Sequence, residues 1–125
     1  MEGNHNIENR VHRDVRGEIW GYEIEGLRFN VMSTKAGALR GGDYHSVTQY
    51  DLVLKGELEV ILRQDDQDIT FRKGPNEVVA IPPDIPHLLR SITDTAIIAW
   101  WDGPFKAEYY EPYRRQVEEQ FKQPI

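Results

Sequence analysis

Short runs of alternating apolar and polar residues, each closed by glycine, proline or aspartate, dominate this chain. Leu27, Phe29 and Val31 alternate with Arg28, Asn30 and Met32, and Leu58, Val60 and Leu62 alternate with Glu57, Glu59 and Ile61. A period of two places one set of side chains on each face of a strand. Further strand-like runs lie at 49–55, 68–72, 77–81, 87–91 and 95–101, separated by Gly56, Gln64-Asp-Asp-Gln67, Lys73-Gly-Pro-Asn76 and Pro82-Pro-Asp-Ile-Pro86. About eight short strands at regular spacing predict an all-β antiparallel sandwich or barrel, because closing the sheet hides edges that a small β-domain cannot leave open.

The 125 residues, 39% hydrophobic and 29% charged, suit one domain with its own core. We assign residues 17–125 to that domain and read residues 1–16 as a polar arm in which His5 and His12 are incidental. The segment Lys35–Gly42 reads as a glycine-rich connection. A C-terminal helix is expected over about 110–122, with Pro112 in its first turn and Tyr113, Val117 and Phe121 on one face. Its expected role is to pack over the barrel or against a partner chain.

Composition narrows the partners. A net charge of −6 disfavours nucleic acid and anionic membrane surfaces. No apolar run approaches the roughly 20 residues of a membrane span, and residues 1–14 contain no apolar leader core. The default expectation is a cytoplasmic protein. The absence of cysteine excludes disulfides, thiolate metal sites and cysteine nucleophiles.

Two stretches carry the chemistry. In Arg40-Gly-Gly-Asp43-Tyr-His45-Ser-Val-Thr-Gln49-Tyr-Asp51, the residues Asp43, His45, Gln49 and Asp51 share one parity. If that parity faces the barrel interior, four polar groups meet in an apolar cavity, and burying them is costly unless a metal, ligand or water satisfies them. In Pro82-Pro-Asp-Ile-Pro86-His87, three prolines stiffen the approach to a histidine. A rigid mount suits a ligating or acid–base side chain.

These stretches resemble the two motifs of the cupin superfamily, a glycine followed by His-x-His, a glutamate and, after six residues, a second glycine, and then Pro-x-Gly-x-x-His. Gly56 matches the second glycine of the first motif, Gln49 stands in place of its glutamate, His45 matches its second histidine and Asp43 replaces the first. In the second motif Pro82 and His87 match and Asp84 holds the place of glycine. The resemblance covers about residues 26–101. It implies a double-stranded β-helix, or jelly-roll, barrel, a small-molecule pocket and a homodimer.

It also implies a divalent transition metal (Fe, Mn, Ni or Zn) at Asp43, His45, Gln49 and His87. The Glu-to-Gln and His-to-Asp replacements leave the charge of that set unchanged, which suits a metal-dependent oxygenase or lyase. Locally, Arg40-Gly-Gly-Asp-Tyr-His45 is similar to a segment of nucleotide-sugar 3,4-ketoisomerases and 3,5-epimerases. Those cupin-fold enzymes move protons beside a sugar carbonyl without a metal. That likeness implies an isomerase or epimerase acting on a carbohydrate or sugar nucleotide, with His45, His87 and Asp43 catalytic and Arg40, Asp51 and Trp100 contacting substrate. A non-catalytic ligand-binding domain is the third alternative, motivated by the replacements at positions 43 and 49.

Overall fold

The alternating runs fold as strands, and their aspartate and glycine punctuation falls at the turns. The computed structural model describes residues 7–122, so His5 lies outside the described residues. In chain order the strands are β1 (Ile7–Asp14), β2 (Gly17–Ile24), β3 (Leu27–Thr34), β4 (Leu39–His45), β5 (Gln49–Lys55), β6 (Leu58–Gln64), β7 (Gln67–Lys73), β8 (Val78–Ile81), β9 (His87–Ser91), β10 (Thr95–Trp101) and β11 (Ala107–Tyr109). Helix α1 (Glu111–Glu119) follows and ends in a 3-10 turn over Gln120–Lys122.

The strands form two sheets, β1-β2-β3-β10-β5-β8 and β11-β4-β9-β6-β7, and the pairing is antiparallel throughout both. This is the all-β antiparallel architecture that the spacing predicts. At the β6–β7 hairpin, Asp65 and Asp66 take positive φ of 51° and 59°, as a tight hairpin turn demands.

Two expectations are corrected. The stretch read as a polar arm contains β1, which pairs with β2 along its whole length. Its alternation is weak because it is an edge strand with exposed, polar residues such as Asn9, Arg10 and His12. The glycine-rich connection ends earlier than expected, because Leu39–Gly42 is already inside β4.

The inner faces of both sheets meet in one core that includes Met32, Val53, Val60, Val79, Leu89 and Ile97. On the outer face of the five-stranded sheet, α1 lays Tyr113 and Val117 over Ile61 and Leu88. Pro112 stands in the first turn, as expected. Phe121 does not continue the buried face: it is 40% exposed and lies under the Arg16 guanidinium. The Gln120 amide ties the end of α1 to β4, donating to the Leu39 carbonyl and accepting from the Leu39 N–H at 2.8 and 2.9 Å.

A bulge in β4 decides which of its side chains face inward. Arg40 pairs with Leu89 and Asp43 pairs with His87, so the register shifts by one residue between Gly41 and Asp43. Strict alternation would put Arg40 on the face opposite Asp43 and His45. The extra residue restores all three to the interior. Gly41 and Gly42 take φ of 98° and 81°, a region closed to most L-residues. A Cβ on Gly41 would meet the His87 carbonyl oxygen at 2.9 Å, and one on Gly42 would meet the Arg114 Cα at 2.8 Å. The pair therefore lets β9 and α1 approach β4 closely.

Gly26 supplies a control, since its φ is 82° but a Cβ added there would meet nothing within 4 Å. Denaturant unfolding of Gly26→Ala is expected to show only the backbone cost, about 1 kcal/mol. Gly42→Ala is expected to lose at least ~1 kcal/mol more, because overpacking forces helix and strand apart. Equal losses would show that the close approach of α1 contributes nothing.

Candidate functional site

The bulge, the proline-rich loop and the β10–α1 connection deliver side chains to one cavity of about 180 Å³ between the sheets. Asp43, His45, His87, Gln49, Arg40 and Trp101 line it. Asp43 and His45 come from β4, and Gln49 opens β5 in the opposite sheet. Their shared parity therefore spans two strands whose inner faces meet.

His87 is held by the loop before it. Asp84 takes φ of 64°, a conformation that aspartate tolerates better than most residues, which explains how it stands where the motif has glycine. Its N–H donates to the His45 carbonyl at 2.7 Å, and the Pro86 carbonyl accepts from the Arg63 N–H at 2.9 Å. The loop is thus tied to both β4 and β6.

Both imidazoles turn the same nitrogen toward Asp43. His45 Nδ1 lies 3.2 Å from the Lys106 carbonyl oxygen, and His87 Nδ1 lies 3.3 Å from that of Ile85. A carbonyl only accepts, so these partners place a proton on Nδ1 in each ring, and in the neutral ring Nε2 then carries a bare lone pair. Both Nε2 atoms face Asp43 Oδ1, His87 at 3.2 Å and His45 at 3.8 Å. Asp43 Oδ1 is buried and accepts no hydrogen bond.

Three acceptors facing one another repel unless a cation lies among them. The three ligating atoms lie within 4.8 Å of one another. Atoms held about 2.1 Å from one metal would stand roughly 3.0 Å apart at a right angle and about 3.4 Å apart at a tetrahedral angle. The donor chemistry fits a divalent transition metal, and the 3.2 Å between His87 Nε2 and Asp43 Oδ1 falls within that range. Nδ1–H bonds to backbone carbonyls are the usual outer support of ligating histidines.

Electrostatics agree with the geometry. Burial pushes His45 below the ordinary imidazole value, favouring the neutral ligating form.

The fourth expected ligand is engaged elsewhere. The Gln49 side chain accepts from Trp101 Nε1–H at 3.2 Å and donates to both Asp51 oxygens at 3.1 and 3.0 Å. The indole is only a donor and the carboxylate an acceptor, which orients the amide. Asp51 is fully buried behind Gln49 and, through that burial, is pushed up to about 6. It does not line the cavity, contrary to its expected role as a substrate contact.

Of the adjacent tryptophans, Trp101 lines the cavity and lies edge-on to His45. Trp100, the expected substrate contact, instead stacks on Tyr50. The parity of β10 decides this, because Ile97 and Ala99 face the core and Trp101 follows them. Arg40 lines the cavity. Arg16, Phe105 and Arg114 also line it. No local pattern marks them, since they come from the β1–β2 turn, the β10–β11 connection and α1.

The fold places the chain among known structures. Its similarity to CapF bound to the inhibitor 3-isopropenyl-tropolone has a TM-score of 0.70 at 22% identity, covering 82% of this chain and 34% of that one. Lactobacillus farciminis oxalate decarboxylase in a formate complex gives a TM-score of 0.70 at 13% identity, covering 93% and 39%. Bacillus subtilis oxalate decarboxylase, studied for its Mn(II) centres, gives 0.62 at 18% identity, covering 81% and 29%. The chain spans about a third of the length of these proteins. No protein-family model matches the sequence, and no curated protein matches it. The chain has the cupin fold that its two motifs imply.

Proposed function

We propose that this chain is a metal-dependent enzyme acting on a small oxygenated molecule, with Asp43, His45 and His87 as the metal ligands. The convergence of two bare imidazole nitrogens on a buried, unbonded carboxylate oxygen carries this reading. Bound there, a divalent transition metal supplies Lewis-acid polarisation of a substrate carbonyl or carboxylate oxygen. Gln49 anchors Trp101 by accepting from its Nε1–H, and Trp101 and Phe105, in contact at 4.7 Å between ring centroids, form an apolar wall on one side of the cavity.

A second reading keeps the isomerase or epimerase chemistry implied by the Arg40–His45 segment. Proton transfer beside a sugar carbonyl needs a base, and the lone pairs of His45 and His87 supply two candidates. The two readings differ in what occupies those lone pairs.

Calorimetric titration of chelator-treated protein with Mn(II) and Zn(II) separates them. One equivalent of metal is expected to bind. His87→Ala and Asp43→Asn are expected to weaken it at least tenfold, and Trp100→Phe to leave it unchanged. Full binding by the His87→Ala protein would contradict the metal reading. Solvent-deuterium uptake into a nucleotide 4-keto sugar by metal-free protein would favour the second.

We also propose that the chain is a homodimer built on the outer face of the six-stranded sheet. Val11, Trp20, Val31, Ile98, Leu52 and Val78 form one continuous row across its six strands. Val11 and Val78 are 44% and 45% exposed. The flanking charges cancel within the face, Arg13 pairing with Glu18 at 2.5 Å, so two copies can meet there without like-charge repulsion despite the net charge of −6. An apolar sheet face of this kind suits face-to-face packing on a second such sheet. Light scattering is expected to give twice the chain mass and, for Ile98→Asp, the monomer mass with the fold retained by circular dichroism. A monomeric parent protein, or a dimeric Ile98→Asp variant, would contradict this interface.

A further inference from the structure

Among the described residues, three buried side-chain polar atoms lack a hydrogen-bond partner: Arg40 Nη1, Asp43 Oδ1 and Arg114 Nε. All three residues line the same cavity. A larger surface hollow of about 490 Å³, bordered by β2, β3 and β10, contains none of them. Buried polar atoms are normally satisfied, so three orphans around one small space mark what that space is shaped to receive. Asp43 Oδ1 calls for a cation, and the two guanidinium nitrogens call for an anion.

Arg40 is 6% exposed. Its Nε donates to Thr34 Oγ1 at 2.6 Å and its Nη2 to the Ser33 carbonyl at 3.4 Å, which leaves Nη1 free. The nearby carboxylate of Asp14 is taken by Arg16 at 2.7 Å. Burial lowers Arg40 to about 10, so it stays cationic at neutral pH. Arg114 reaches across the bulge, its Nη1 donating to the Gly41 carbonyl at 3.4 Å and its Nη2 pairing with Glu118 at 2.7 Å. Glu118 balances Arg114 and Asp14 balances Arg16, so with a divalent cation at Asp43, His45 and His87 the single charge of Asp43 would leave the cation and Arg40 in surplus, which favours an anionic ligand.

We infer that the cavity binds a small 2-oxo or 2-hydroxy carboxylate, its carboxylate held by Arg40 and Arg114 and its neighbouring oxygen turned toward the ligand triad. The volume of about 180 Å³ lies below the ~300–1,000 Å³ of pockets that engulf drug-sized ligands, so only a compact group enters. A guanidinium matches the planar, two-oxygen geometry of a carboxylate. This inference names the substrate class of the metal site proposed above and rests on that reading for the second contact, while the guanidinium contact stands without it.

Calorimetry with pyruvate, glycolate, methyl pyruvate and inorganic phosphate tests it, on metal-free and Mn(II)-loaded protein. Pyruvate and glycolate are expected to bind, at least tenfold more tightly once metal is loaded, and methyl pyruvate at least tenfold more weakly than pyruvate. Arg40→Gln is expected to weaken pyruvate at least tenfold while Mn(II) affinity measured alone is retained. Arg114→Gln, on the half-buried helix surface, gives the same test if Arg40→Gln does not fold. Methyl pyruvate binding as tightly as pyruvate would overturn the inference, as would phosphate binding more tightly than either acid. Metal binding without any carboxylate binding would overturn this inference and leave the metal reading intact. Arg40-dependent pyruvate binding without any metal binding would uphold the anion contact and defeat the metal reading.

Discussion

One extra residue in β4 sets the chemistry of this molecule. Without the Gly41–Gly42 bulge, Arg40 would share a face with Tyr44 and point away from Asp43 and His45. With it, a guanidinium, a carboxylate and an imidazole from six consecutive positions reach the same cavity. The bulge depends on positive φ at two adjacent residues, and on strand β9 and helix α1 lying closer than a side chain would permit. Backbone geometry, more than any single side-chain contact, therefore decides which polar groups are buried together. What they cost in desolvation must be offset by something bound among them.

The elements around the bulge act as supports. The proline-rich loop donates a backbone N–H to the His45 carbonyl and places the Ile85 carbonyl against His87. The β10–β11 connection provides the Lys106 carbonyl for His45. Each of these two carbonyls fixes which imidazole nitrogen is bare. Helix α1 covers the back of β4 and β9 through Tyr113 and Val117 and reaches around the edge with Arg114. The helix is therefore packing on one face and part of the site at its edge.

Much of this was legible in the sequence, because period-2 alternation and turn residues are local signals. Strand β3, the strands from β5 to β10 and the amphipathic start of α1 follow from such signals, and the pairing of His45 with His87 follows from the resemblance to the cupin motifs. Other features did not. β1 is a wet edge strand, so it lacks an apolar parity. Parity counting fails across a bulge, so it separates Arg40 from Asp43, which the fold joins. Trp100 and Trp101 are adjacent, and only the register of β10 against β5 tells which one faces inward. Arg16 and Arg114 reach the cavity from elements far apart in the chain, beyond the range of any local signal.

The decisive observation is where a metal sits. Crystals exposed to Mn(II) and measured at the manganese absorption edge give that position without any assumption about the reaction. The convergence of lone pairs requires one strong anomalous peak within bonding distance of Asp43 Oδ1, His45 Nε2 and His87 Nε2. Anomalous signal confined to surface carboxylates, with a direct hydrogen bond closing the gap between His87 and Asp43, would contradict it.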